Sequence, residues 1–216
     1  MRLFKILAVL VGVLVSGGRA AAAQQAPLER WGGLELFTGS LDADAAETQG
    51  TADRMWGAQF NFGITAYRVL NLGVDAGIVG IRDRRPFTEN TTAGERESAV
   101  GGVLGSLVAG LNTPSLALAP GRAADLRLGV NVGYTLIGAD RSIDRCLDCN
   151  LERVRIHAGE FVEPALQLFH GKGGLSARYR MYRARADVRN ALMIGYTFRA
   201  GKGPAAADSP PSAPTS

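Results

Sequence analysis

The amino-acid sequence predicts an all-β fold, an eight-stranded antiparallel transmembrane up-and-down β-barrel. Three observations predict it. Hydrophobicity alternates with a period of two rather than 3.6, eight segments are of strand length, and the connections alternate between long charged loops and tight turns.

The clearest segment is 124–137, where Leu126, Leu128, Val130, Val132, Tyr134 and Leu136 share one face and Asp125, Arg127, Gly129, Asn131, Gly133 and Thr135 the other. Residues 55–69 set Trp56, Ala58, Phe60, Phe62, Ile64 and Ala66 against Gly57, Gln59, Asn61, Gly63, Thr65 and Tyr67. Residues 191–200 set Leu192, Ile194, Tyr196 and Phe198 against Met193, Gly195, Thr197 and Arg199. The first two exceed the ~9–11 residues that a tilted strand needs to cross a hydrocarbon layer. Weaker patterns at 31–40, 70–82, 99–111, 153–169 and 175–183 complete the set.

Connections 41–54, 83–98, 138–152 and 184–190 are polar and charged, whereas 69–71 and 170–174 are tight. Long loops at one end and short turns at the other match a membrane barrel. Connection 112–123 is long for the turn end, although Thr113-Pro114 and Pro120-Gly121 are turn signals. Pro164 interrupts a segment, and its missing N–H predicts a bulge or strand end there.

The flanking segments read differently. Met1-Arg2-Leu3-Phe4-Lys5, an apolar run over 6–15 and Ala21-Ala22-Ala23 compose a secretory signal peptide over 1–23, with Gln24 as the mature start. That run is too short for a transmembrane helix, and no other segment reaches the length one needs. Periplasm or outer membrane are the compartments left for residues 24–202, followed by a disordered Pro/Ala-rich tail over 203–216. Removing Arg2, Lys5 and Arg19 from the 24 basic residues leaves 21 against 20 acidic ones, so the basicity that would support nucleic-acid binding nearly vanishes. Lys172 and Lys202 are the only lysines beyond the leader. A soluble sheet usually carries Lys on its outer face, which disfavours that reading.

Alternation leaves open which face is inside, because a soluble lipocalin-like binding barrel has the same period with the faces exchanged. The polar faces supply Glu35, Asp75 and Glu163 together with Arg127, Arg178, Arg180 and Arg199, among Gly, Asn, Gln and Thr. An eight-stranded interior is just filled by side chains, and arginine forks bind carboxylates bidentately, so these residues are expected to form a lumenal ion network. A tight turn at 170–174 sets Glu163 and Arg180 opposite each other, as the first expected pair.

The leader, the alternating strands and the aromatic-rich last strand Leu192-Met193-Ile194-Gly195-Tyr196-Thr197-Phe198 together resemble the small outer-membrane barrels of the outer-membrane protein A and X and opacity-protein type. The resemblance implies an outer-membrane site and the barrel assembly machinery as a partner. It also implies a role as anchor, adhesin, small pore or lipid-modifying enzyme. Phe198 departs from the pattern in being followed by the tail rather than closing the chain.

Cys146 and Cys149 form a Cys-x-x-Cys in a charged loop. A helix start or further metal ligands are absent, and Asn150 stands where haem attachment needs His, so a local disulfide is expected in an oxidising compartment. His157, near Glu152, Glu160 and Ser142, is the one candidate for lipid-modifying catalysis, but the His two residues before a Ser of such enzymes is missing. His170 begins a turn and suits a solvent or headgroup contact. Arg82, Arg84, Arg85, Arg141, Arg145, Arg153 and Arg155 make the loop mouths basic and are candidates for contacting lipopolysaccharide phosphates, although Glu89, Glu95, Glu97, Asp140, Asp144 and Asp148 dilute the field. The expectation is therefore a monomeric, non-enzymatic barrel without cofactor, bound to outer-membrane lipid and lipopolysaccharide, structural or interactive in role. A narrow pore and a lipid-modifying enzyme are the alternatives.

Overall fold

The computed structural model describes residues 28–42, 51–83, 98–118, 124–143 and 152–200. Alternating segments form β1 (Glu29–Leu41), β2 (Thr51–Ala66), β3 (Leu70–Asp83), β4 (Ser98–Asn112), the two-residue β5 (Leu116–Ala117), β6 (Ala124–Ile143), β7 (Glu152–His170), β8 (Gly173–Tyr182) and β9 (Val188–Ala200). The eight long strands pair antiparallel with their neighbours, β1 pairs β9, and β4 pairs β6, so the sheet closes on itself. Closure leaves none of the eight long strands as an edge among the described residues; the two-residue β5 pairs on one side, with β6. One end of the barrel carries residues 28 and 200 with the turns β2–β3, β4–β6 and β7–β8; the other, the loop end, carries the remaining connections.

The register fixes the tilt. Cross-strand register partners lead from Glu35 through Gln59, Gly77 and Leu104 to Ile137 in one direction. In the other they lead through Gly195, Ser176 and Gln167 to Arg127. The two routes reach β6 ten residues apart, 137 against 127. Spread over eight strands, this shear of ten is about one and a quarter residues per strand. Residues at one height along the axis are therefore not ladder partners.

The faces divide sharply. Leu36, Trp56, Phe60, Ile78, Val103, Leu107, Leu136 and Ile194 are all exposed, forming an apolar band around the outside. Inside, the loop-end half is packed with Phe37, Leu41, Met55, Val79, Ile81, Val100, Leu104, Val154, Ile156, Val188 and Met193. Charged and amide side chains fill the middle and the terminal end. Glycine makes this filling possible at two places: a Cβ on Gly63 would run into the Trp31 ring, and one on Gly133 into Phe161.

Four local features differ from the sequence expectation. The β2–β3 turn falls at Tyr67–Val69 rather than at 69–71, and Tyr67 and Arg68 both have positive φ, 53° and 63°. This is a type I′ geometry, which Asn-Gly normally announces and this sequence does not. The long connection after β4 is partly strand: β5 pairs Leu116 with Leu126 and Ala117 with Asp125, lengthening the β6 side of the barrel at its terminal end. Pro164 neither ends β7 nor bulges it. The β7–β8 ladder omits pairs at 163 and 164 and resumes in the same register at Ala165, because only the Pro164 N–H is missing. The β7 bulge lies instead at His157–Gly159, where two residues oppose Leu136 and Gly159 takes φ 73°. The extra residue reverses the alternation, so Val154, Ile156 and Ala158 point inward while Arg153, Arg155 and His157 point out.

Candidate functional site

The shear gathers charges that are far apart on the ladder. Moving about one and a quarter residues per strand from Glu35 brings the same height to Asp75 on β3, Asn131 on β6, Glu163 on β7 and Arg178 on β8. All five are buried.

At this level two guanidinium groups are saturated by three carboxylates. Arg178 donates from Nε to both Glu35 oxygens at 3.0 Å and from Nη2 to Glu35 Oε2. Its Nη1 donates to Glu163 Oε1 at 3.2 Å, and Nη2 also reaches Asp75 Oδ1 at 3.3 Å. Arg180 donates from Nε to Glu163 Oε2 at 2.9 Å and from Nη2 to Asp75 Oδ2 at 2.7 Å. Its Nη1 donates to Ser106 Oγ at 3.0 Å and Thr135 Oγ1 at 3.2 Å, and its plane lies 3.9 Å over the Phe161 ring. Neutral donors complete the acids: Ser176 at 2.8 Å and Gln59 at 3.0 Å on Glu35, and Asn131 at 3.0 Å on Glu163. A buried ionic group is tolerable only when its hydrogen-bonding capacity is met in this way. Glu163 and Arg180, opposed across the β7–β8 hairpin, are 2.8 Å apart.

A second layer lies nearer the terminal end. Arg127 forks onto Glu29 at 2.7 and 2.8 Å, and Arg199 onto Asp125 at 2.9 and 3.2 Å. Phe169 lies between the two guanidinium groups, 5.3 Å from that of Arg127 and 4.5 Å from that of Arg199. The polar void between the layers, lined by Glu35, Asn61, Asn71 and Arg178, has a volume of ≈ 10 Å³, room for about one water. With the apolar packing toward the loop end, side chains fill the bore.

No family model matches the chain, and no curated protein matches it. Among solved structures the chain is similar to Ail, the attachment invasion locus protein of Yersinia pestis, in complex with the heparin analogue sucrose octasulfate. That match has 16% identity and a TM-score of 0.43, covering 82% of this chain and 100% of that one. A structure of Ail without the analogue gives 15% identity and a TM-score of 0.42 over the same shares, 82% and 100%. The outer membrane protein OprG of Pseudomonas aeruginosa gives 11% identity and a TM-score of 0.31, over 81% of this chain and 96% of that one.

All seven residues expected in the lumen line it, in the two layers described. Glu29 and Asp125 were not among the expected ion partners. Asp125 shares the face of Arg127 in the sequence pattern, which is a usable signal; Glu29 lies just outside the segment read as the first strand. Of the loop-mouth arginines, Arg153 and Arg155 are exposed on the outer wall. Arg141 is not: it is 8% exposed and lies on the inward row of β6 with Thr135 and Ala139, so strand alternation turns it away from a surrounding lipid headgroup. The side chain of Arg82 and residues Arg84, Arg85 and Arg145 lie outside the described residues, as do Cys146, Cys149, the leader and the tail. His157 and Glu160 are exposed on the outer wall, and the His157 N–H donates to Asp187 Oδ2 at 2.6 Å. The Ser142 and Glu152 side chains lie outside the described residues.

Proposed function

We propose that the chain is an exported outer-membrane barrel with an anchoring or surface-interaction role and a lumen closed by its arginine and carboxylate layers. The observation that carries this reading is the direction of the two faces. Aliphatic and aromatic rows cover the outside while Glu35, Asp75 and Glu163 pair with Arg178 and Arg180 within. In water that arrangement exposes the wrong surface; in a bilayer it is the arrangement hydrocarbon requires. A soluble lipocalin-like barrel would need the faces exchanged.

Charges bound the apolar band at both ends: Arg54, Asp140, Arg153, Arg155 and Arg189 toward the loops, and Arg30, Arg68 and Lys172 toward the termini. Arg153 and Arg155, with the loop residues Arg84, Arg85 and Arg145, would meet lipopolysaccharide phosphates. Cleavage of the leader before Gln24, monomeric insertion by the barrel assembly machinery, and a Cys146–Cys149 disulfide in the loop belong to the same reading. So does the lack of an enzymatic role.

Membrane fractionation, with gel mobility compared before and after boiling, tests the placement. A protein that partitions to the aqueous phase and migrates identically in both lanes refutes it. Planar-bilayer recording tests the closed lumen, and a steady open current from purified protein would overturn it.

A further inference from the structure

The outer wall carries a groove that the lumen does not explain. It has a volume of ≈ 890 Å³ and an almost wholly apolar lining. The register shows how it arises. Arg30, Ile64, Leu72, Ala109 and Val132 are successive ladder partners across β1, β2, β3, β4 and β6. Ala109 is the short side chain in that row, and the neighbouring row of Phe62, Val74, Leu107 and Tyr134 stands above it. Because of the shear, this row climbs from Arg30 at the terminal end of the barrel to Val132 at the height of the central ion layer.

The charge at that end has one sign. Arg30, Arg68 and Lys172 are exposed, whereas Glu29 and Asp125 turn inward and are occupied by Arg127 and Arg199. Among the described residues, no acid is exposed there, in contrast to the loop end, where Asp140 and Glu160 are.

Resting on the membrane placement proposed above, we infer that this groove holds one acyl chain of an anionic phospholipid in the leaflet on the terminal side, with its phosphate on Arg30. A lipid of that leaflet has its headgroup at the interface and its tail directed toward the bilayer centre, and the row rises in that direction while it runs obliquely across five strands of the wall. A cation near a membrane surface favours an anionic headgroup by about five-fold.

The two tryptophans allow a direct test. Trp56 is on the outer wall toward the loops, whereas the Trp31 ring lies behind Gly63 and Gly73 and lines the groove. In a Trp56→Phe background, Trp31 is the only tryptophan and reports nearby bromine atoms. Vesicles of phosphatidylcholine containing a minor fraction of brominated-chain phosphatidylglycerol should quench Trp31 more strongly than vesicles with the same fraction of brominated phosphatidylcholine. Arg30→Gln should lower that preference by about five-fold, and Arg30→Lys should retain it. Ala109→Phe fills the groove and should weaken quenching by both lipids; Ala109→Val should do so to a smaller extent. Each variant is first checked for heat-modifiable mobility. Equal quenching by the two lipids, or quenching indifferent to residue 109, overturns the site while leaving the membrane placement standing. Absence of quenching by either lipid, from protein that does not float with vesicles, overturns both.

Discussion

Removing one guanidinium from the central layer should be more damaging than neutralising one of its acids. Glu35, Asp75 and Glu163 face Arg178 and Arg180, three negative charges against two positive. Arg180→Met leaves three carboxylates on one guanidinium and strips Asp75, Glu163, Ser106 and Thr135 of a donor each. Asp75→Asn keeps the shape and brings the layer to two against two. Breaking a buried pair by removing one partner typically costs about 3–5 kcal/mol, two to three and a half orders of magnitude in the folding equilibrium. The near-isosteric, charge-balancing change keeps one acceptor oxygen and should cost less, about 1–3 kcal/mol. Urea unfolding in lipid vesicles, followed by tryptophan fluorescence and by heat-modifiable mobility, measures both. Equal costs for the two variants, or a harmless Arg180→Met, would refute the reasoning that charge balance holds this layer together.

Leu107 is 68% exposed near the height of the central layer, so Leu107→Arg should destabilise the barrel in vesicles by about 2–4 kcal/mol; a neutral or stabilising result, as expected for a water-facing position, counts against membrane contact. Gly159 takes φ 73° in the β7 bulge. Gly159→Val should cost about 1–2 kcal/mol through backbone strain, read as a lower urea midpoint. The β2–β3 turn should gain from Tyr67→Asn combined with Arg68→Gly, because both positions have positive φ. A rise of roughly 1 kcal/mol is expected, and no rise would argue that contacts of Tyr67 or Arg68 outweigh the turn geometry.

The fold was legible wherever alternation is strict. Over most of β2, β6 and β9 the sequence sets large apolar residues on one row and mainly polar or small residues on the other, and the structure puts those rows on opposite faces. Glu163 and Arg180 were likewise legible, because a tight turn sets cross-strand partners by simple counting. What could not be counted is the meeting of Glu35 with Arg178, on strands separated by β9, since it depends on a shear that only closure defines. The bulge at His157–Gly159 was equally hidden. One extra residue exchanges inside and outside for the rest of β7, and Pro164 was the louder signal although its ladder keeps its register. Arg141 shows the same limit, because its charge suggested a surface and its position on β6 set it inside.

The contacts of Glu35 also bear on the order in which the barrel can be made. Its strand is the first of the sheet, and its partners Ser176 and Arg178 are on the strand before last. Until these ends of the chain meet, Arg178 lacks one of its three acids. A half-closed sheet therefore exposes polar groups that hydrocarbon cannot solvate. On the membrane placement proposed above, insertion has to keep that unfinished interior hydrated until β1 joins β9.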